Sequence, residues 1–420
     1  MDRGRFAVVL VCIAAAAFLG RAAYILAVTR DQDRTYDELF YESEATSFAN
    51  GDGFEPTYFG VNFLGSGEHP PLTAVVLAPV AFLTDDNEIA MLMTIAFAGA
   101  GAVAVIGLLG REVAGSRAGL IAAGIAAVYP NLWINDGLLL PETPAVLATA
   151  AALLFAYRLV RAPRWRYAAA LGVACALAML SRGELVLLIP ILALPAIFTI
   201  KDLAWSRRFR IAGVAVLAAA VTVAPWQAFL LYRFERPTFI SYGDGGVIAG
   251  ANCGATYSGF LVGFWLGLCR PQRESREPSV AAEQRRDLGR DYMRDHLDRL
   301  PVVVPARVGR LWSVYRPFQM AKFSVGEGKP RWASLAGWWT FWPLVALGAA
   351  GVVIGRRRRE PVVPLLAPLL IVTLTAAVFY GLVRFRAPAE PSIIVLAAVA
   401  LAAGFVRIRD RTRAARSSMS

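Results

Sequence analysis

Residues 6–28 read FAVVLVCIAAAAFLGRAAYILAV, and residues 34–45, a short step later, read RTYDELFYESEA. The first stretch is long enough to cross a bilayer, whose hydrocarbon layer takes about 20 apolar residues of helix. The second sets Asp37, Glu38, Glu42 and Glu44 beside that span. Carboxylates so close to lipid are either a wetted charge cluster or part of a chemical site. The rest of the chain decides between them.

The 420 residues are 57% hydrophobic and 18% charged, against roughly a quarter charged in an average soluble protein. The apolar residues fall in blocks of span length, and the chain reads as an all-α polytopic membrane protein with about 10–11 transmembrane helices. Arg3 and Arg5 precede the first block as they would a signal peptide. That block outruns a signal core and lacks a small-residue cleavage site, so it reads as a retained signal-anchor. The net charge of +12 is no nucleic-acid footprint, because it is gathered in short connectors: YRLVRAPRWRY (157–167), KDLAWSRRFR (201–210), GRRRRE (355–360) and RIRDRTRAAR (407–416). Basic connectors between apolar spans mark the cytoplasmic face.

Threading the chain on that rule puts both termini in the cytoplasm of a multi-pass plasma-membrane protein. Spans fall at residues 6–28, 88–110, 118–133, 143–160, 167–181, 184–200, 209–232, 333–355, 361–381 and 389–406. PPLTAVVLAPVAFL (70–83) is short and opens on two prolines, so it is placed as an interfacial or re-entrant helix on the outer side. The organisation is then an N-terminal membrane module (1–232) with a first external loop (29–70), an external loop or small subdomain (233–332), and C-terminal membrane helices with a basic cytoplasmic tail (333–420). PSVAAEQRRDLGRDYMRDHLDRL (278–300) within the long loop reads as a polar surface helix. Outside the cytoplasm Cys253 and Cys269 either bridge or remain two thiols, with the bridge the default.

The external pieces collect the charges that lie away from the basic connectors. Asp37 and Glu38 follow the first span, His69 stands in GEHPPL, Asp136 and Glu142 in NDGLLLPET, Arg182 and Glu184 in LSRGEL, and Arg384, Arg386 and Glu390 in VRFRAPAEP. Arginine on the outer side breaks the positive-inside rule and needs a partner: a lipid headgroup, a carboxylate such as Glu390, or a phosphate on a substrate. Guanidinium suits phosphate because its planar fork binds two oxygens together. Arg307 and Arg310, in LPVVVPARVGRLWSVYRPF (300–318), either touch such a phosphate or anchor to headgroups.

The order of these motifs resembles the GT-C class of integral membrane glycosyltransferases, in particular family 39-like enzymes related to protein O-mannosyltransferases and lipid A aminoarabinose transferases. The carriers are YDELFY with SFANGDGF, EHPPLTAVVLAPV, LLLPETPAVLATAAALL, ALAMLSRGELVLLIP and VRFRAPAEPSIIVLAA, while GANCGATYSGFLVGFWLGLC is similar to actinobacterial members. The resemblance implies a GT-C-like bundle with external interfacial helices. It also implies transfer of a sugar, with inversion, from a polyprenyl-phosphate donor to an acceptor hydroxyl of a cell-envelope glycan, lipid or protein. In that reading Asp37, with Glu38 beside it, is the base. Arg384 and Arg386, with Arg182 and His69, meet the donor phosphate, and Glu142 or Asp136 positions acceptor or sugar. His69 stands where family members often carry Lys.

No cofactor is implied; a divalent metal is permitted but not required. DQD at 31–33 is similar to the D-x-D of nucleotide-sugar enzymes, yet Arg30 and Arg34 flank it and favour plain ion pairing. Two histidines in the whole chain argue against a His-based zinc site. The rival readings are a transporter or flippase of a lipid-linked substrate, which would carry charges in mid-span and broken helices or repeats, and a non-catalytic membrane scaffold.

Overall fold

In the computed structural model the described residues are 2–54, 57–58, 61–62, 67–271 and 274–417. Parts of the loop between residues 29 and 70 (55–56, 59–60 and 63–66) and the side chains of the basic tail lie outside them. The chain is helical almost throughout. Helix α1 (Arg3–Tyr24) is capped by Asp2, which accepts from the Arg5 amide at 2.7 Å, and it widens into a π turn over Ile25–Thr29. Then come α2 (Tyr36–Ala49), a two-residue antiparallel pairing of β1 (Thr57–Tyr58) with β2 (Val61–Asn62), and α3 (Leu72–Thr84). The bundle continues with α4 (Glu88–Val128), α5 (Pro130–Trp133), α6 (Glu142–Arg161) and α7 (Trp165–Ser181). After turns at 183–193 follow α8 (Leu194–Phe198) and α9 (Trp205–Arg233). The long loop holds α10 (Asp244–Ala251), α11 (Gly254–Tyr257), α12 (Pro278–Asp295), α13 (Leu300–Leu311) and α14 (Pro317–Phe323). Helices α15 (Arg331–Arg357), α16 (Leu366–Val378) and α17 (Glu390–Ser417) close the chain.

Six of the described helical stretches are long and apolar enough to cross a membrane unaided, and shorter apolar helices lie at 72–84, 165–181, 183–198 and 363–378. Helix α4 holds two of the expected spans. It breaks at Ala114 and Gly115, where Gly115 takes φ 85°, a value open to glycine at little cost. The two halves then fold back so closely that a Cβ on Gly119 would lie 2.6 Å from the Gly107 carbonyl oxygen. Gly119→Val is therefore expected to force the halves apart and cost about 1–3 kcal/mol, read as a lower melting temperature of the detergent-solubilised protein.

The basic connectors meet at one end of the bundle. Arg161 donates to Glu112 at 2.7 Å, Arg207 donates to the Pro163 carbonyl at 3.1 Å, and the Tyr157 hydroxyl donates to the Pro361 carbonyl. Glu142, at the start of α6, lies at the opposite end, about 30 Å away for a helix of this length. The core joins α1, α4, α6, α7, α9, α15 and α17. A second apolar cluster pins α2: Phe40, Tyr41 and Ala45 pack on Ala74, Leu77 and Ala81 of α3 and on Met91, Leu92 and Ile95 of α4. In the long loop Cys253 and Cys269 are joined by a disulfide. Arg307 and Arg310 are buried rather than interfacial. Arg307 donates to the carbonyls of Ala251 and Val378, and Arg310 to those of Val262 and Phe260.

Candidate active site

Asp37 sits in the first turn of α2, and its side chain keeps 24% of its surface exposed. Arg384 comes from the 3₁₀ turn Val383–Ala389 that leads into α17, and its Nη2 donates to Asp37 Oδ2 at 2.7 Å. The Arg384 Nε lies 3.7 Å from Glu142 Oε1 and 3.7 Å from Glu327 Oε1. Glu142 is fully buried in the first turn of α6, and Arg182 Nη1 donates to its Oε1 at 2.8 Å. Arg182 also pairs with Glu184 at 2.7 Å and lies over the Phe385 ring. The ends of helices far apart in sequence thus share one network of alternating charges. A helix N-terminus favours a carboxylate, which suits Asp37 and Glu142 where they stand.

His69 flanks this network, edge-on to Phe40 with ring centroids 4.9 Å apart and tilted on Tyr41 at 5.6 Å. Burial opposes ionisation of Asp37. Arg384, followed by His69 and Arg182, outweighs it and holds the carboxyl below the usual aspartate range. Asp37 is consequently a carboxylate at neutral pH, partly exposed and held in one orientation by a guanidinium.

The remaining candidates are placed elsewhere. Glu38 is buried and closes the capping box of α2: the amide and hydroxyl of Thr35 each donate to its Oε2 at 3.1 Å, and the Leu139 amide donates to its Oε1 at 3.2 Å. The pattern Thr35-x-x-Glu38 is a legible signal for this arrangement. Asp136 is buried against Arg21 of α1, with the Thr143 hydroxyl donating to it at 2.6 Å. Arg386, two residues from Arg384, donates to Glu390 at 2.7 Å and to Ser313 Oγ at 3.1 Å, and it stacks 3.6 Å above the Phe341 ring. Tyr129 completes that pair by donating to Glu390 at 3.1 Å.

A narrow cleft opens beside Arg384, lined among others by Asn131, Asn135, Ser334, Trp338, Arg386 and Lys329. The Lys329 side chain is 6% exposed and lies 3.6 Å from Glu327. Sequence reading missed both residues, as it missed Arg21. Arg21 was visible as a charge inside a span, which is by default a site or a pair. Glu327 and Lys329 stand in a loop rich in charges, where nothing sets them apart. Among the described residues no group of three His, Cys, Asp or Glu side chains is arranged to hold a metal ion.

Comparison with known proteins gives a family match and a fold. Residues 68–229 match the family described as dolichyl-phosphate-mannose-protein mannosyltransferase. No curated protein sequence matches the chain. Among solved structures, the oligosaccharyltransferase AglB of Archaeoglobus fulgidus, in complex with an inhibitory peptide and a dolichol-phosphate, aligns with a TM-score of 0.58 at 17% identity over 98% of this chain and 52% of that one. The apo form of the Archaeoglobus fulgidus oligosaccharyltransferase aligns at 0.56 and 16% identity over 100% of this chain and 52% of that one. ArnT from Cupriavidus metallidurans, bound to undecaprenyl phosphate, aligns at 0.45 and 16% identity over 95% of this chain and 78% of that one. The chain spans about half the length of the archaeal enzymes. Its all-α polytopic fold is that of the GT-C class of membrane glycosyltransferases.

Proposed function

We propose that the protein moves a sugar from a polyprenyl-phosphate donor to an acceptor hydroxyl at the extracytoplasmic face of the plasma membrane, with inversion. The observation that carries this reading is the ion pair of Asp37 with Arg384, a residue that also lines the cleft together with Lys329 and Arg386. It is a carboxylate base beside a fixed positive charge, which is what attack on a phosphate-activated sugar requires. The acceptor proton passes to an Asp37 oxygen while a new C–O bond forms at the anomeric carbon. The bond from that carbon to the phosphate oxygen breaks, and its electron pair stays on the phosphate. Arg384 stabilises that charge as it develops. Arg182, Glu142 and His69 hold Asp37 and Arg384 in register; Arg386 borders the cleft from its pairing with Glu390. The family match and the shared fold support this assignment. The basic connectors gathered at the opposite end of the bundle support a cytoplasmic placement of that end.

The test gives the purified protein radiolabelled polyprenyl-phosphate mannose or arabinose together with glycan, lipid and peptide acceptors. Label passing to an acceptor is the expected result, and no transfer from any such donor would sink the proposal. The pH profile is a second check. The ionised form of Asp37 is the active one, and its carboxyl is held low by Arg384 against burial. Activity is therefore present above that lowered value and is lost as pH falls through it. The acid limb of kcat/KM is expected below the ordinary aspartate value of about 3.9, and Arg384→Gln should move it upward while lowering the rate.

A further inference from the structure

Glu327 ends the short turn Ser324–Glu327, and Gly328 after it takes φ 76°. Its two carboxylate oxygens face different cations, Oε1 toward Arg384 Nε at 3.7 Å and Oε2 toward Lys329 Nζ at 3.6 Å. Both distances are ion-pair range and neither is a hydrogen bond. The two cations are neutralised without being saturated. Arg384 donates to Asp37 through Nη2, but its buried Nε has no hydrogen-bond acceptor among the described residues, and Lys329 is almost wholly enclosed. Both line the same cleft, with Ser324 and Ser334 beside them. A carboxylate stretched between two unsaturated cations occupies the position a tetrahedral oxyanion would fill better. A phosphate has more oxygens and spreads them in three dimensions.

We propose that Glu327 is a built-in competitor for the donor's phosphate, holding Arg384 and Lys329 in the empty enzyme and yielding them when the lipid phosphate arrives. The inference rests on the reading of the site as a polyprenyl-phosphate glycosyltransferase and adds Lys329 as a second phosphate-binding cation. It also assigns a purpose to the competition. The donor is a phosphodiester with one negative charge, whereas the departing lipid monophosphate carries between one and two near neutrality. The same two cations therefore hold product more tightly than substrate, and product release would slow the cycle. A carboxylate poised to return to them offsets that difference and speeds release.

The experiment measures binding of a polyprenyl monophosphate to the full chain in phosphatidylcholine nanodiscs, which contain no other anionic headgroup. Wild type, Glu327→Gln and Lys329→Gln are compared, with the uncharged polyprenol as a parallel ligand. Glu327→Gln is expected to lower Kd for the monophosphate about tenfold, a modest share of the repulsion between two charges at this range. Lys329→Gln should raise it by a similar factor, and neither should alter polyprenol binding. In turnover, Glu327→Gln should show a lower kcat and stronger inhibition by added polyprenyl monophosphate. Unchanged or weaker monophosphate binding by Glu327→Gln, or an equal shift for polyprenol, overturns the inference. If wild type transfers sugar and Glu327→Gln leaves Kd unchanged, the transferase reading stands and this inference falls. If wild type transfers no sugar and binds no monophosphate, both fall.

Discussion

Asp37→Asn is expected to leave a folded protein whose transfer rate is down by about 10²- to 10⁴-fold, the usual contribution of a positioned general base. The amide matches the carboxylate in shape, and its oxygen can still accept from Arg384 Nη2, so the geometry around the site should survive. What is lost is the capacity to take the acceptor proton. Donor binding should persist, which separates a missing base from a damaged pocket. Glu38→Gln is the control beside it. Glu38 sits one residue away but is occupied by the Thr35 and Leu139 amides. Its replacement should cost about 1 kcal/mol of helix-cap stability and change the rate only a few-fold. Full activity in Asp37→Asn, or equal loss in both variants, would remove Asp37 from the chemistry.

Asp136→Ala is expected to be the most destabilising of these substitutions, at about 3–5 kcal/mol, because it strips the partner from a buried charge. The Arg21 side chain is 1% exposed, and besides Asp136 its hydrogen-bond partners among the described residues are the carbonyls of Ala17, Ala126 and Ala127. Those carbonyls solvate a guanidinium but do not neutralise it. Replacing both partners, as in Arg21→Met with Asp136→Leu, should recover much of the loss, since removing a buried pair together leaves no orphan charge. Thermal melts of the single and double variants in detergent decide the matter. A double variant no better than the single one would show that packing around Asp136, rather than charge, was at stake.

These two carboxylates show how far the sequence could be read. Hydropathy and the distribution of arginine located the spans, because lipid forces backbone groups into helices and leaves long apolar runs. The break in α4 was readable as well, since a basic connector interrupts the run there. Which of the charges away from the basic connectors meet was not readable. Arg384 and Arg386 look equivalent in VRFRAPAEP, yet they lie on a 3₁₀ turn, where a step of two residues turns the side chain about two-thirds of a revolution. One therefore reaches Asp37 and the other Glu390. Glu38 was separable from Asp37 by its spacing from Thr35. Glu327 was not separable at all, because its meaning depends on a long loop returning to the start of α2. There a Cβ on Gly328 would lie 3.3 Å from a Glu38 carboxylate oxygen.

The pairing of Arg21 with Asp136 also imposes an order on biogenesis. The two residues are 115 positions apart, so α1 is made and delivered to the membrane long before its counter-ion exists. An unpaired arginine in the apolar layer costs about 2.5–3.5 kcal/mol at a helix centre and less near an end. Arg21 is near the end of α1, where its chain can reach the interface and wait there. Only when the segment after α5 arrives can the guanidinium be drawn inward. A helix synthesised so far ahead of its counter-ion is thus late to settle, and a chain halted before residue 136 should leave α1 loosely held and open to quality-control proteases.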